Sequence, residues 1–282
     1  MSTEPSRGRF VRPVLALAIV AISASAILVR LIPDVHPVTI AFWRTATVAV
    51  LLSPFLRRVS ARDLALVVGA GACLALHFWA WFASIHHTSV MRSTVLVCLT
   101  PIWTGVLEGL LLGHRPGRRF WPGIGLAVGG VMVMIGFTPG QGSLLGDGLA
   151  TLGGVLSSLY FLVGRSVRQR VQFAAYGAMV CGAAALWLLP VAMLVEAPLV
   201  GLPIASWAVI GGIILGPQLI GHVGLNYSIR YVPASLIAAL IVLEPVGATA
   251  LAAFVLGEVP GLREVAGAAI VLIGVFIAAR EG

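Results

Sequence analysis

The stretch LTPIWTGVLEGLLLGHRPGRRF at residues 99–120 recurs 144 positions further along the chain as LEPVGATALAAFVLGEVPGLRE at residues 243–264. The repeat runs without a gap over residues 78–136 and 222–280, and 14 of these 59 aligned positions are identical. The identical positions include a proline and a Gly-x-x-Pro-Gly turn, which shape the backbone. The sequence therefore predicts two structurally equivalent copies of one unit.

The composition indicates an integral membrane protein. Hydrophobic residues make up 59% of the 282 positions, charged residues only 10%, and the mean hydropathy is +1.04. A soluble domain of this length needs far more charge on its surface. The 18 basic residues are all Arg and most lie in short loops, so the net charge of +8 does not indicate a nucleic-acid partner. Cys73, Cys98 and Cys181 lie in apolar runs, which predicts buried thiols rather than disulfides.

Ten segments are long and apolar enough to be membrane spans, each of which needs about 20 residues. They lie at residues 14–31, 38–56, 64–85, 91–112, 121–138, 147–165, 172–195, 205–229, 234–257 and 264–280. Ala24-Ser25-Ala26 in the first segment resembles a signal-peptide cleavage site. Because the apolar run continues through Leu28, we expect this segment to remain as a span.

The placement of Arg residues predicts the orientation, because loops on the cytoplasmic side are enriched in basic residues. If the N-terminus is cytoplasmic, fourteen Arg lie on that side, three lie on the other, and Arg44 lies within a span. The fourteen are Arg7, Arg9, Arg12, Arg57, Arg58, Arg62, Arg115, Arg118, Arg119, Arg165, Arg168, Arg170, Arg230 and Arg280. The three are Arg30, Arg92 and Arg263. Both termini are therefore expected in the cytoplasm.

The repeat and the span count together predict an inverted-topology architecture. Residues 1–140 and residues 141–282 each contain five of the ten predicted spans. An odd number of spans turns the second copy upside down in the membrane relative to the first. We therefore expect an all-α integral membrane protein of ten helices built as a 5+5 inverted repeat, an architecture that supports alternating access to a central site.

Two stretches carry a family pattern, which Trp43-Arg44 and Ala46 extend into the second span. The stretches are Leu99-Thr100-Pro101, Leu112-Gly113-His114-Arg115 and Gly123 in the first copy, and Leu243-Glu244-Pro245, Leu256-Gly257-Glu258, Gly267 and Gly274 in the second. The chain resembles the drug/metabolite transporter superfamily in its ten-helix EamA branch, and within it most closely the YddG-type exporters of aromatic amino acids. The first copy departs from the family pattern at His114, where the unit normally carries Glu. The resemblance implies a transporter that moves small metabolites or drugs.

Gln218, His222 and Asn226 are spaced by four residues in the eighth span. This spacing places them on one helix face, about 12 Å from first to last. Polar side chains at membrane depth face the bundle interior or water, so the three are candidates to line a substrate pathway. The alternative is that they make hydrogen bonds between helices that hold the bundle together.

The repeat predicts what faces this polar stripe. The counterparts 144 residues earlier are Leu74, Phe78 and Phe82, and Trp81 and His77 lie beside them. A cavity with one hydrogen-bonding wall and one aromatic wall suits a flat apolar ligand with polar ends. Packing of the aromatic rings against lipid, and a structural hydrogen bond for His77, remain the alternatives.

Arg44, Glu244, Pro101 and Pro245 are further candidates within the spans. Arg44 either attracts a substrate carboxylate or extends its side chain to the interface. Glu244 is expected to be protonated, paired or in a wet cavity, where it gates or relays protons or binds the backbone beside Pro245. Pro101 and Pro245 interrupt equivalent spans and serve as gating points or fixed kinks.

No motif in the chain indicates catalysis. His-Glu-x-x-His, Gly-x-Ser-x-Gly and the nucleotide-binding Gly-x-x-x-x-Gly-Lys pattern are absent, and the chain has no Lys. We expect no enzyme activity, no cofactor and no metal, with a small-molecule substrate and membrane lipid as the partners. The favoured function is a secondary carrier or facilitator in the bacterial inner membrane that exports small metabolites, first of all aromatic or hydrophobic amino acids. An exporter of drugs or other metabolites and a channel-like pore are the alternatives.

Overall fold

The computed structural model describes residues 10–85, 87–88, 90–136, 143–257 and 259–280. These residues are helical, contain no β-strand, and form ten helices at the places where ten spans are predicted. The helices are α1 (Val11–Arg30), α2 (Pro37–Leu52), α3 (Ala61–Ile85), α4a (Val90–Val97) with α4b (Thr100–Leu111), α5 (Phe120–Ile135), α6 (Leu144–Arg168), α7 (Phe173–Leu194), α8 (Ile204–Ser228), α9a (Ala234–Ile241) with α9b (Glu244–Leu256), and α10 (Leu262–Ala279).

The helices have the length and the apolar outer surface of a multi-pass membrane protein. Eight of them are long and apolar enough to cross a bilayer, and α4 and α5 are shorter. Large apolar side chains such as Leu110, Leu186 and Phe254 project from the outside of the bundle. An apolar outer surface of this extent indicates contact with lipid. Helices suit that environment because they satisfy their own backbone hydrogen bonds.

The fourth and ninth helices are interrupted at equivalent positions. Each pauses for two residues, at 98–99 and at 242–243, and resumes with a proline in its first turn, Pro101 or Pro245. Proline is tolerated there because its missing N–H has no helical partner in a first turn and its φ angle already suits a helix. Both interruptions occur where the prolines predict them, and they are 144 residues apart.

Tight turns follow the two broken helices at equivalent positions. Gly113 has a φ angle of +69° and Gly257 has one of +68°. Glycine adopts this left-handed conformation without the steric penalty that a Cβ atom would bring. The first glycine of the Gly-x-x-Pro-Gly motif therefore has the same left-handed conformation in both copies.

A π-helical segment at Ile214–His222 departs from the regular helix predicted for the eighth span. Pro217 lies inside this segment and cannot donate a backbone hydrogen bond. π-Helical turns are rare and concentrate at functional sites. Gln218 and His222 lie within it, whereas Asn226 lies in the regular helical segment Val223–Ser228 that follows.

Helices α5 and α10 cross in close contact through four glycines, Gly123 and Gly130 of α5 and Gly267 and Gly274 of α10. A Cβ atom added to Gly130 would lie 2.7 Å from the backbone nitrogen of Val271, and one added to Gly267 would lie 2.6 Å from that of Met134. Such small residues let helix backbones approach each other in a membrane. The contact is reciprocal, because Gly130 meets the backbone oxygen of Gly267 and Gly123 meets that of Gly274.

The remaining helices form one packed body beside this pair. Helix α3 packs against α6 and α7, α2 packs against α7, and α1 packs against α8 and α9b. The main core cluster fills the space between α1, α2, α3, α6, α7 and α8, and two smaller clusters lie between α4, α5, α9 and α10. This arrangement brings α2, α3 and α8 together around the predicted polar stripe.

Candidate functional site

Arg44 of α2 is the centre of a polar cluster in the interior of the bundle. Its side chain is only 7% exposed and turns inward rather than toward the interface. Its Nε atom donates to Oε1 of Gln218 at 2.6 Å, and the guanidinium lies 5.2 Å from the centroid of the Phe78 ring. The Gln218 amide in turn contacts Sγ of Cys181 at 3.6 Å. A buried cation is thus held by one amide oxygen and one aromatic face.

Arg44 also interacts electrostatically with Glu244, His222 and His77. Glu244 and His222 lie within electrostatic range of Arg44, and His222 lies within range of His77. Nδ1 of His222 is buried and has no hydrogen-bond partner among the described residues. Glu244 is the first residue of α9b, so its carboxylate lies at the helix interruption. The cluster therefore combines an acid, a base and a cation that are distant in sequence.

Asn226 makes a contact of a different kind. Its Oδ1 atom accepts a hydrogen bond of 2.8 Å from the hydroxyl of Tyr160 in α6, and both residues are buried. Its backbone oxygen also accepts from Nε of Arg168 at 2.8 Å. Gln218 and Asn226 thus both bind neighbouring helices, while His222 between them keeps a ring nitrogen unpartnered within the described residues.

The aromatic wall forms in part as predicted. Phe78 and Leu74 are buried, and the Phe78 ring contacts Arg44. His77 stacks with Trp81 at 6.3 Å between ring centroids, and its Nδ1 atom binds the backbone oxygen of Gly153 at 2.8 Å. The side chain of Phe82 lies outside the described residues. The structure thus brings Phe78 to the polar cluster and places His77 and Trp81 against α6.

The Tyr160→Phe variant separates the structural role of Asn226 from a role in transport. Loss of this buried hydrogen bond is expected to cost roughly 1–2 kcal/mol of folding stability. We expect a lower unfolding temperature in detergent and nearly normal transport per folded molecule, whereas Tyr231→Phe, beside Arg230, changes neither. Transport that falls as far in Tyr160→Phe as in Asn226→Ala would leave Asn226 with a structural role only.

One end of the bundle carries Arg165, Arg168, Arg170 and Arg230 and is called the Arg-rich end; there the buried carboxylate of Glu108 joins three helices. Glu108 of α4b is 0% exposed, and its carboxylate accepts the backbone N–H groups of Ala234 at 2.9 Å and Ser235 at 3.0 Å. Nε of Arg165 lies 3.4 Å from the same carboxylate, and Arg165 also donates to the backbone oxygens of Ile229 and Val232. These contacts join α4b and α6 to the start of α9a. The role of Glu108 at this helix start is not part of the sequence prediction.

The opposite end contains a cavity of about 350 Å³ between α1, α9b and α10. Its lining is mostly small or apolar, with one acidic and one basic side chain. The lining residues are Ile27, Arg30, Ala248, Thr249, Ala252, Val259, Pro260, Gly261 and Glu264. The two ends of the bundle therefore differ, one closed by Glu108 and the other open to a cavity.

No group of three His, Cys, Asp or Glu side chains among the described residues is placed to hold a metal ion. The site consists of one cation, one acid, imidazole and amide groups and an aromatic ring. Such a set of groups can bind a small polar or zwitterionic molecule by hydrogen bonds and charge without a bound cofactor.

The described residues form ten apolar helices, two of them broken beside buried ionisable groups, an arrangement typical of multi-pass membrane transporters. The chain belongs to the EamA-like transporter family, whose model matches residues 13–136 and 144–280. The family membership predicted from the sequence is thereby confirmed.

Similar proteins agree with the family assignment. An uncharacterized transporter of Archaeoglobus fulgidus is 25% identical over 233 residues, which cover 81% of each chain. The uncharacterized transporter YyaM of Bacillus subtilis is 26% identical over 209 residues, 70% of this chain and 67% of that one. A solved crystal structure matches with a TM-score of 0.80 at 20% identity and covers 96% of this chain and 97% of the other, a likeness of fold.

Proposed function

We propose that the protein is a secondary carrier or facilitator that exports small metabolites by alternating access, with aromatic or hydrophobic amino acids as the first candidate substrates. The observation that carries this proposal is the buried guanidinium of Arg44, which contacts Gln218 and Phe78. A guanidinium is suited to bind a carboxylate with two parallel hydrogen bonds. Glu244 supplies a negative charge for an ammonium group, and Phe78 supplies a ring face.

An inverted 5+5 repeat is the proposed scaffold, with the first unit in residues 1–140 and the second in residues 141–282. The family model matches two separate segments, one in each half. The contacts between α5 and α10 are those expected when a two-fold axis relates the two helices. Gly130 meets Gly267, the counterpart of Gly123, and Gly123 meets Gly274, the counterpart of Gly130. The boundary between the units falls at residues 137–142, outside the described residues.

The proposed orientation places both termini in the cytoplasm, as in a bacterial inner-membrane protein. This orientation is favoured because it places fourteen Arg residues on the cytoplasmic side and three on the other side. In this orientation the end closed by Glu108 faces the cytoplasm, and the cavity lined by Ala248 and Thr249 faces the outside. The protein would then stand in a conformation open to the outside.

The test is a substrate panel in proteoliposomes, run with and without a pH gradient. A carrier gives saturable uptake of a labelled amino acid and counter-flow driven by unlabelled substrate, whereas flux that never saturates indicates a channel. No transport of any amino acid in the panel, with transport of another metabolite, would move the proposal to that substrate. An effect of the pH gradient on the rate would indicate proton coupling.

Variants of the polar stripe test the pathway itself. Gln218→Ala, His222→Ala and Asn226→Ala are expected to lower the transport rate at least about tenfold without loss of folded protein, because each removes a polar group proposed to bind the substrate in the buried pathway. The matched controls are Gln169→Ala and His114→Ala, which change the same residue types at exposed positions. Normal transport by all three stripe variants would refute the pathway along α8.

A further inference from the structure

Two equivalent helix faces differ in a way that assigns a role to Glu108. Thr100, Thr104 and Glu108 are spaced by four residues and share one face of α4b. All three are buried. Their counterparts 144 residues later on α9b are Glu244, Ala248 and Ala252, so every comparison between the faces is a comparison of equivalent positions.

The α4b face is sealed along its length by polar contacts. The Thr104 hydroxyl donates to Oγ of Ser158 at 3.0 Å, and the Ser158 hydroxyl approaches the backbone oxygen of Thr100 at 3.1 Å. At the end of the face, the Glu108 carboxylate binds the first two N–H groups of α9a. An anion at a helix start satisfies backbone donors that have no helical partner and faces the positive end of the helix dipole.

The α9b face is open over the same distance. Ala248, Thr249 and Ala252 line the 350 Å³ cavity, and the methyl group of Ala252 stands where the first copy has the carboxylate of Glu108. On the α4b side the Phe120 ring fills the corresponding space, since a Cβ atom added to Gly105 would lie 2.8 Å from it. Its counterpart on α10 is Glu264, which lines the cavity. The α9b face leads from Glu244 at the polar cluster to the cavity.

We propose that Glu108 is the gate residue of the cytoplasmic end, and that the face from Glu244 to Ala252 is the release route at the outer end. This rests on the proposed alternating access. Opening the cytoplasmic end requires α9a to leave α4b, which separates Glu108 from Ala234 and Ser235. The equivalent closure at the outer end would bring the start of α4a to Ala252. The methyl side chain of Ala252 has no acceptor for the first N–H groups of α4a. The difference between Glu108 and its counterpart Ala252 therefore favours the outward-open form in the absence of substrate.

Cysteine accessibility tests the gate without any substrate. Cys73, Cys98 and Cys181 are replaced by Ala, and Ser235→Cys or Thr249→Cys is added as a single reporter. Each reporter is reacted with a membrane-impermeant maleimide in inside-out and right-side-out vesicles. In the parent protein, the reporter at 249 is expected to react from outside and the reporter at 235 to stay unreactive from inside.

The Glu108→Ala variant is expected to reverse this pattern. The labelling rate at 235 should rise at least about fivefold and the rate at 249 should fall. The variant removes contacts that only the outward-open form makes, so the ligand-free equilibrium shifts toward the inward-open form. Glu108→Gln keeps one oxygen acceptor and should give an intermediate rise. The control Asp63→Asn breaks the 2.6 Å ion pair with Arg170 at the same end and should leave both rates unchanged. An equal rise in the control would overturn the assignment.

A second variant keeps the proposal testable if Glu108→Ala fails to fold. Ala252→Glu places an acceptor at the outer end and should raise labelling at 235, a reporter near the opposite end of the helix. Unchanged labelling at 235 in every folded variant would overturn the gate. Because the measurement uses no substrate, a shift in labelling without amino acid transport would refute the substrate class and keep the gate, and the reverse result would refute the gate alone.

Discussion

Arg44→Ala is expected to lower the transport of amino acids at least about tenfold while the protein remains in the membrane. Nε of Arg44 donates to Oε1 of Gln218 at 2.6 Å, and the guanidinium interacts electrostatically with Glu244. Removing it deletes the cation proposed to bind the substrate carboxylate and leaves Glu244 with less positive charge nearby. Loss of a charge-assisted contact of this kind corresponds to a decrease of at least about tenfold in transport.

The Arg44→Lys variant shows which property of Arg44 matters. Lysine keeps the charge but lacks the planar fork and the Nε donor to Gln218. If the guanidinium binds a carboxylate with two hydrogen bonds, the concentration for half-maximal transport should rise strongly in Arg44→Lys. The control is Arg57→Ala, which removes an exposed Arg at the Arg-rich end. Saturable transport with unchanged half-saturation in both Arg44 variants would remove Arg44 from the proposed site.

The positions of the helices and of their interruptions follow from local signals in the sequence. Pro101 and Pro245 mark the breaks, Gly113 and Gly257 mark the turns, and apolar runs of sufficient length mark the spans. Each of these signals acts within a few residues of the structure that it predicts. The π-helical segment at Ile214–His222 has a local cause in Pro217, but a proline alone predicts a kink as readily as a π turn.

The candidate site is harder to predict because its contacts join distant parts of the chain. Arg44 and Gln218 are 174 positions apart, and Glu108 and Ala234 are 126 positions apart. The sequence leaves two interpretations of Arg44 because the burial of a long side chain depends on its partners. The 144-residue repeat relates equivalent positions, but it does not specify contacts between different helices such as α4b and α9a.

Gly130→Ala is expected to destabilise the protein strongly. A Cβ atom at this position would lie 2.7 Å from the backbone nitrogen of Val271 and 2.8 Å from the backbone oxygen of Gly267, so α5 and α10 would have to separate. Overpacking of a tight contact costs about 1–3 kcal/mol and occasionally more. We expect a clear fall in the unfolding temperature and in the yield of folded protein. Gly274→Ala in the other copy should behave in the same way, because it meets the backbone of α5.

The neighbouring Gly129→Ala variant is the control and is expected to raise the unfolding temperature slightly rather than lower it. No atom lies within 4 Å of a Cβ atom at position 129, and alanine favours a helix over glycine by about 0.5–1 kcal/mol. The two substitutions are chemically identical and one residue apart, so they differ only in the face of α5 that they occupy. Equal unfolding temperatures for the two variants would mean that α5 and α10 do not cross through Gly130. That result would also remove the reciprocal glycine contacts from the support for an inverted repeat.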